Sequence, residues 1–305
     1  MRVLLTGSSG QVGGALKARL AAFDVLAPDR KSFDLERNNT IASCIEAFRP
    51  NVIVNCAAYT AVDDAERDRD RAMQVNAIAP GVMADSARKV GAALLHFSTD
   101  YVFDGKAREP YLESSICAPV NFYGETKLLG EQAIAASGIP ALTIRTSWVY
   151  GPSGRNFLRT MLQLGADKHS IDVVNDQTGS PTSSSFLADS VASILESAVK
   201  SPSEYFRANC GILNMTCAGE TTWHGFANEI FAEAHSRGME LAVRNVRPVS
   251  TSNYPRPANR PAYSVLKLSR LQNFFGIVPV SWRDALGSVM DQLGVLNSTI
   301  GKPEK

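Results

Sequence analysis

The stretch Arg2-Val-Leu-Leu-Thr-Gly-Ser-Ser-Gly-Gln-Val-Gly13 decides the reading of this chain. Val3 to Thr6 is a short β run. Gly7, Gly10 and Gly13 then follow at Gly-x-x-Gly-x-x-Gly spacing. From Gln11 to Phe23 the apolar residues fall at 12, 15, 16, 20 and 23, which is a helical period. A strand, a glycine turn and a helix in that order form a phosphate cradle. Glycines let the backbone turn tightly and approach a pyrophosphate, and the free N–H groups at the helix start hold it. A glycine triplet alone is common. Its place between a first strand and a first helix makes it specific.

Outward from this point, β and helical segments alternate. Val25 to Ala27, Val52 to Asn55, Leu94 to Ser98 and Leu142 to Thr146 read as further strands. They are continuous apolar runs, as in strands buried on both faces. Ile41 to Phe48, residues 69 to 90 and Phe122 to Ala136 read as helices between them. The pattern predicts an α/β, Rossmann-type, doubly wound parallel sheet. After Trp148 the loops lengthen and Gly, Pro, Ser and Asn accumulate. Residues 187–199, 222–237 and 281–293 read as helices, and 212–215 as a strand. The expected organisation is a nucleotide-binding domain over 1–150 plus about 183–208. A smaller C-terminal substrate-binding lobe would take about 151–182 and 209–296, and 297–305 would be a tail.

Composition bounds the function. Thirty-one basic and thirty acidic residues among 305 leave a formal charge of +1, without the basic excess of a nucleic-acid binder. Five cysteines at 44, 56, 117, 210 and 217 form no Cys-x-x-Cys pair, and histidine is scarce. This argues against a zinc site and for free thiols in a reducing cytoplasm. No apolar run is long enough for a membrane span. The expected partner is a small molecule, with no nucleic acid and no membrane, in a monomer or homodimer.

Two further constellations carry chemistry. Asp29 and Arg30 follow the second strand. An acid there suits ribose hydroxyls and an arginine suits a 2′-phosphate, so NADPH and NADH both stay open. Asp34 and Leu35 are placed along the adenine. Tyr123 and Lys127 stand four residues apart on one helix face. The ammonium would favour the phenolate and so make the phenol a better acid. Ser98 and Thr99 end the fourth strand, at the sheet edge where ligands of open parallel sheets bind. A hydroxyl there, with Tyr123 and Lys127, would polarise a carbonyl.

Here the chain resembles the extended short-chain dehydrogenase/reductase superfamily, and within it the dTDP-4-dehydrorhamnose reductase family. The resemblance runs from Arg2 to about Leu293. It is carried by Leu5–Gly13, Asn51-Val-Ile-Val-Asn-Cys-Ala-Ala-Tyr-Thr-Ala-Val-Asp63, His96-Phe-Ser-Thr-Asp-Tyr-Val-Phe-Asp-Gly105, Tyr123-Gly-Glu-Thr-Lys127, Arg145-Thr-Ser-Trp-Val-Tyr150, Asn175-Asp-Gln-Thr-Gly-Ser-Pro-Thr182 and Arg260-Pro261. The resemblance implies reduction of the C4 ketone of a dTDP-linked 4-keto-6-deoxy sugar by NADPH or NADH. It implies Tyr123 as proton donor, Thr99 on the keto oxygen, and Lys127 on the nicotinamide ribose. Gly7, Gly10, Gln11, Val12, Gly13, Asp29, Arg30, Asp34, Leu35, Ala57, Ala58, Thr60, Ser98, Tyr123 and Lys127 would meet the cofactor. Thr60, Val62, Thr99, Asp100, Val102, Trp148, Asn156 and Arg260 would meet the sugar nucleotide. Some members bind a metal at a dimer contact through glutamates. Ala15 and Ser185 stand at those positions here, so no metal is expected. Two rival readings remain. A 4,6-dehydratase or epimerase would share the fold, but Tyr101 stands where a dehydratase carries its second carboxylate. A non-catalytic regulatory homologue, such as a partner subunit of methionine adenosyltransferase, would tolerate loss of the chemical residues, yet Thr99, Tyr123 and Lys127 are intact.

Overall fold

The computed structural model describes residues 1–299, with side chains through 294. Its centre is a six-stranded parallel sheet. Five of the strands are β1 (Arg2–Thr6), β2 (Asp24–Leu26), β3 (Val52–Asn55), β4 (Ala93–Thr99) and β5 (Ala141–Thr146), and the sixth is Gly211–Asn214. The spatial order is β2-β1-β3-β4-β5 and then Gly211–Asn214. The order reverses between β1 and β3, so the crevice at the carboxyl ends of those two strands is the switch point.

Burial explains the strand sequences. Every residue of β3, β4 and β5 is buried, as are Val3 to Thr6 of β1. Helices cover both faces, which removes the alternation that a half-wet strand would show. These helices are α1 (Gln11–Arg19), α2 (Asn38–Phe48), α3 (Val62–Ala65), α4 (Arg69–Met73), α5 (Ala79–Val90) and α6 (Phe122–Ala136). Further on come α7 (Phe157–Asp167) and α8 (Ser184–Ser197), which lies against α1.

Three sequence expectations are corrected. Gly211–Asn214 was placed with the C-terminal lobe, yet it pairs with β5 from Gly211↔Leu142 to Asn214↔Arg145 and closes the central sheet. Residues 297–299 were placed in a tail, yet the last helix runs Trp282–Thr299; the rest of that tail lies outside the described residues. The helix expected over 69–90 is interrupted by a π turn, Gln74–Ile78, between α4 and α5. Three two-stranded ribbons lie beside the sheet: Ser170–Val174 with Asn245–Val249, Thr178–Gly179 with Thr221–Thr222, and Val149–Tyr150 with Thr182–Ser183. One apolar core runs through the sheet and the later segments alike. It joins Val3, Leu95 and Leu213 to Phe226, Leu286 and Met290.

Candidate active site

At the switch point lies a cleft of about 1070 Å³, at the upper end for a ligand cavity. Its floor is the glycine turn. Gly7 has φ +67°, and a Cβ there would lie 2.7 Å from the backbone nitrogen of Ala57. Only glycine lets the β1 turn lie this close to the chain leaving β3. The Gly10 N–H donates to the Gly7 carbonyl at 2.9 Å and closes the turn. No side chain caps α1, and its first turn holds no acid. Its N-terminal N–H groups therefore face the cleft with a favourable dipole for an anion. Gly13 does not line the cleft. A Cβ there would meet the Gly7 carbonyl oxygen at 2.3 Å, so it serves close packing beneath the turn.

The other expected cofactor residues line one cavity: Gly7, Gly10, Gln11, Val12, Asp29, Arg30, Asp34, Leu35, Ala57, Ala58, Thr60, Ser98, Tyr123 and Lys127. At one end the Asp29 carboxylate accepts from the Ser32 backbone N–H (3.0 Å) and hydroxyl (2.7 Å), which hold it below the usual carboxylate range. Arg30 and Arg71 converge there on Glu36, with Arg71 Nε at 3.0 Å from its carboxylate. Arg71 was missed in the sequence, because only the fold brings α4 beside the loop after β2.

At the other end α6 presents Tyr123 and Lys127, both buried. Asn121 caps this helix, its Oδ1 accepting from the Gly124 N–H at 2.8 Å. Burial pushes the Tyr123 phenol up to about 12; Thr99 pulls it back and the Asp100 charge adds to the rise. The expected tuning of Tyr123 by Lys127 is absent from this arrangement. Lys127 Nζ donates to the Phe97 carbonyl at 2.6 Å and lies 3.2 Å from His96 Nε2. Burial lowers Lys127 to about 8, against the pull of Glu131. Glu131 is itself committed, to the Arg145 guanidinium at 2.6 and 3.0 Å and to the Ser98 hydroxyl at 2.5 Å.

The expected sugar residues separate into groups. Thr60 lines the cleft, and Val62 packs with Phe122, Tyr123 and Tyr101. The Thr99 hydroxyl donates to Asp100 Oδ1 at 3.1 Å. Asp100 is buried, its Oδ2 has no partner, and burial raises it to about 7. Val102 is not at the site. It lies in an apolar cluster with Phe103, Tyr111 and Leu266. Asn156 is also used elsewhere. It caps α7 and donates to Gly151 O, Ser153 O and Gln11 Oε1. Arg260 gives both terminal nitrogens to Asp63 at 2.8 Å. Trp148 has φ +47° and stacks on Trp223 at 3.5 Å between centroids, against Gly179. Thr146 ends β5, lines the cleft and has a buried hydroxyl without a partner. It lies in the Arg145–Tyr150 motif, from which the sequence reading named only Trp148 as a site residue.

Comparison with known proteins agrees with this geometry. The RmlD substrate binding domain family matches residues 1–295. A dTDP-4-dehydrorhamnose reductase of Burkholderia thailandensis is 45% identical over 94% of this chain and 97% of its own. A probable dTDP-4,6-dihydroxy-2-methyloxan-3-one 4-ketoreductase of Streptomyces antibioticus is 42% identical over 94% and 93%. The crystal structure of dTDP-4-dehydrorhamnose reductase from Bacillus anthracis in complex with NADP superposes with a TM-score of 0.85, at 34% identity over 95% of this chain and 99% of that one. The glycine turn, the paired Tyr123 and Lys127 and this full-length similarity have one explanation: the chain belongs to the dTDP-4-dehydrorhamnose reductase family.

Proposed function

We infer that the chain is an NAD(P)H-dependent oxidoreductase that reduces the C4 ketone of dTDP-4-dehydro-L-rhamnose to give dTDP-L-rhamnose. One observation carries this reading. A glycine turn built for a pyrophosphate and a buried Tyr123–Lys127 pair lie in a single cleft. The cradle fits a dinucleotide because glycines stand at positions 7 and 10 of its turn and its helix start is uncapped. When bound, the dihydronicotinamide supplies the hydride. The protein must then deliver one proton to the oxygen. Tyr123 holds that proton, because burial keeps the phenol un-ionised at any working pH. Thr99, beside it at the end of β4, orients the ketone by turning its hydroxyl proton from Asp100 to the keto oxygen. Trp148, Val62 and Asp100 border the sugar. Arg260 positions the wall carrying Asp63 rather than meeting a phosphate itself.

The substrate lobe is assigned to about 151–182 and 215–296. Arg30 and Arg71 suit the 2′-phosphate of NADPH, while Asp29 suits the free ribose of NADH. A cytoplasmic location accords with five free thiols, and among the described residues no helix is long and apolar enough to cross a membrane. The test is direct. Purified protein, dTDP-4-dehydro-L-rhamnose and NADPH or NADH should show loss of reduced-cofactor absorbance with formation of dTDP-L-rhamnose. Cofactor binding without turnover would favour a non-catalytic role. Water loss from dTDP-glucose with NAD would favour a dehydratase.

A further inference from the structure

The corner of the cleft beyond β2 is crowded with charge, and that charge is already paired. Asp29 and Arg30 follow β2, Glu36 stands in the loop before α2, and Arg71 lies on α4; all four line the cleft. Glu36 Oε1 accepts from a terminal nitrogen of Arg30 and from Arg71 Nε, the latter at 3.0 Å. Two guanidiniums from separate elements thus converge on one oxygen. Convergent guanidiniums are a receptor for phosphate. Here a carboxylate of the chain itself takes that place.

The local backbone keeps Glu36 at the cleft. Its N–H donates to Asp34 Oδ1 at 3.1 Å, and Gln74 Nε2, at the start of the π turn, donates to the Leu35 carbonyl at 2.9 Å. Leu35 is buried, which anchors the loop on the Glu36 side. The neighbouring charges do not favour a phosphate either. Arg30 Nε lies 3.8 Å from Asp34, Arg71 Nη1 lies 3.8 Å from Asp68, and Arg37 Nε lies 3.6 Å from Asp34. Lys31 bears on Asp29. Each of these cations therefore faces a carboxylate. A dianion arriving at the ribose would meet Asp29, Asp34 and Glu36 along with the arginines. A free 2′-hydroxyl carries no charge and can donate to a carboxylate.

We propose that Glu36 sets the choice between NADPH and NADH: it stands as an internal anion between Arg30 and Arg71, and a 2′-phosphate has to displace it to reach them. This rests on the oxidoreductase reading and deepens it at the adenosine end of the cleft. The exchange is of ion pairs only, and no covalent bond is made or broken.

Binding alone tests this, without sugar substrate or turnover. NADPH and NADH are titrated separately against the wild type and Glu36→Gln, which keeps the size of the side chain and removes its charge. The ratio of NADPH to NADH affinity should rise by about fivefold or more, the scale of a charge contact at a partly exposed site. The pair 2′,5′-ADP and 5′-AMP should show the same gain, because it carries the phosphate difference without a nicotinamide. Adding Arg71→Met to Glu36→Gln should cut the gain, and so should about 0.5 M salt, which screens such charges. Glu36→Ala gives the same comparison if the glutamine variant fails to fold. A ratio that stays at its wild-type value overturns the proposal, since Glu36 would then only brace the loop. A ratio that falls also overturns it, since Glu36 would then aim the arginines at the phosphate. A wild type that binds neither dinucleotide would sink the oxidoreductase reading and the proposal together, whereas binding with an unmoved ratio sinks the proposal alone.

Discussion

The proton donor is the place where a single atom can be tested. Tyr123→Phe removes one hydroxyl from a buried ring and leaves its packing with Val62 and Phe122 intact. A positioned general acid is worth about 10²–10⁴ in rate. The expected outcome is kcat lower by that factor with NADPH affinity unchanged, measured by steady-state turnover and by titration. More than half of the wild-type rate would mean that another group supplies the proton. Asp100 carries a different consequence. Its folded-state value of about 7 lies above the ordinary 3.8 because the carboxyl is buried with one oxygen unpartnered. The unfolded chain therefore releases this proton first as pH rises. Its contribution to stability is fullest below about pH 4, falls through pH 7 and is constant above. Asp100→Asn cannot ionise, so its advantage over wild type in urea unfolding should grow between pH 4 and 7 and then level off. A constant difference across that range would show that Asp100 does not titrate with folding. Both residues were legible in the sequence by motif. The direction of their shifts was not, because it comes from burial, which no motif states.

Among the elements, the π turn has the most specific function. The extra residue in Gln74–Ile78 turns Asn76 inward, where Oδ1 accepts from the Tyr59 N–H at 2.9 Å and Nδ2 donates to the Tyr59 carbonyl at 3.0 Å and to Thr126 of α6 at 3.1 Å. One side chain thus ties the Ala57–Thr60 wall of the cleft to the helix that bears Tyr123 and Lys127. Such turns recur at functional sites. The fit is close: a Cβ on Gly130 of α6 would lie 2.2 Å from the Asn76 carbonyl oxygen. Gly130→Ala should therefore cost about 1–3 kcal/mol in unfolding free energy, as overpacking does, although alanine is the better helix former. A gain in stability would show that the two elements can part freely. The sequence predicted α6 at its observed bounds. It also placed residues 69–90 as helix, but one extra residue in a helical run leaves no signature in the apolar pattern. Val102 and Asn156 fell outside the sugar site for a similar reason. Asn156 follows Arg155, which lines the cleft, but its own side chain turns to the start of α7, and the Val102 side chain turns to the core.

At the scale of the whole molecule, α1 and α8 lie side by side, joined by Arg19 and Asp189 at 2.8 Å. Ala15 and Ser185 sit on this pair with no carboxylate of their own. Activity after exhaustive dialysis against EDTA should equal that of untreated enzyme. A loss restored by magnesium would mean that ligands come from other positions. The early sheet was readable because each strand is a buried apolar run next to a helix. The sixth strand was misplaced because it is short and lies among the segments of the smaller lobe.

That sixth strand has a consequence for how the protein is made. Until Gly211–Asn214 leaves the ribosome, the outer edge of β5 has no partner, although every residue of β5 is destined for burial. At about 5–20 residues per second, the chain between Thr146 and Gly211 takes roughly 3–13 s to synthesise. During that interval a nascent sheet shows an unpaired, apolar edge, which is the geometry that recruits other chains. A chain released before Gly211 and one released after Met215 both lack Phe226, Leu286 and Met290 of the core, and the shorter should form more sedimenting aggregate. Equal solubility of the two would mean that the edge is shielded during synthesis by some other part of the chain.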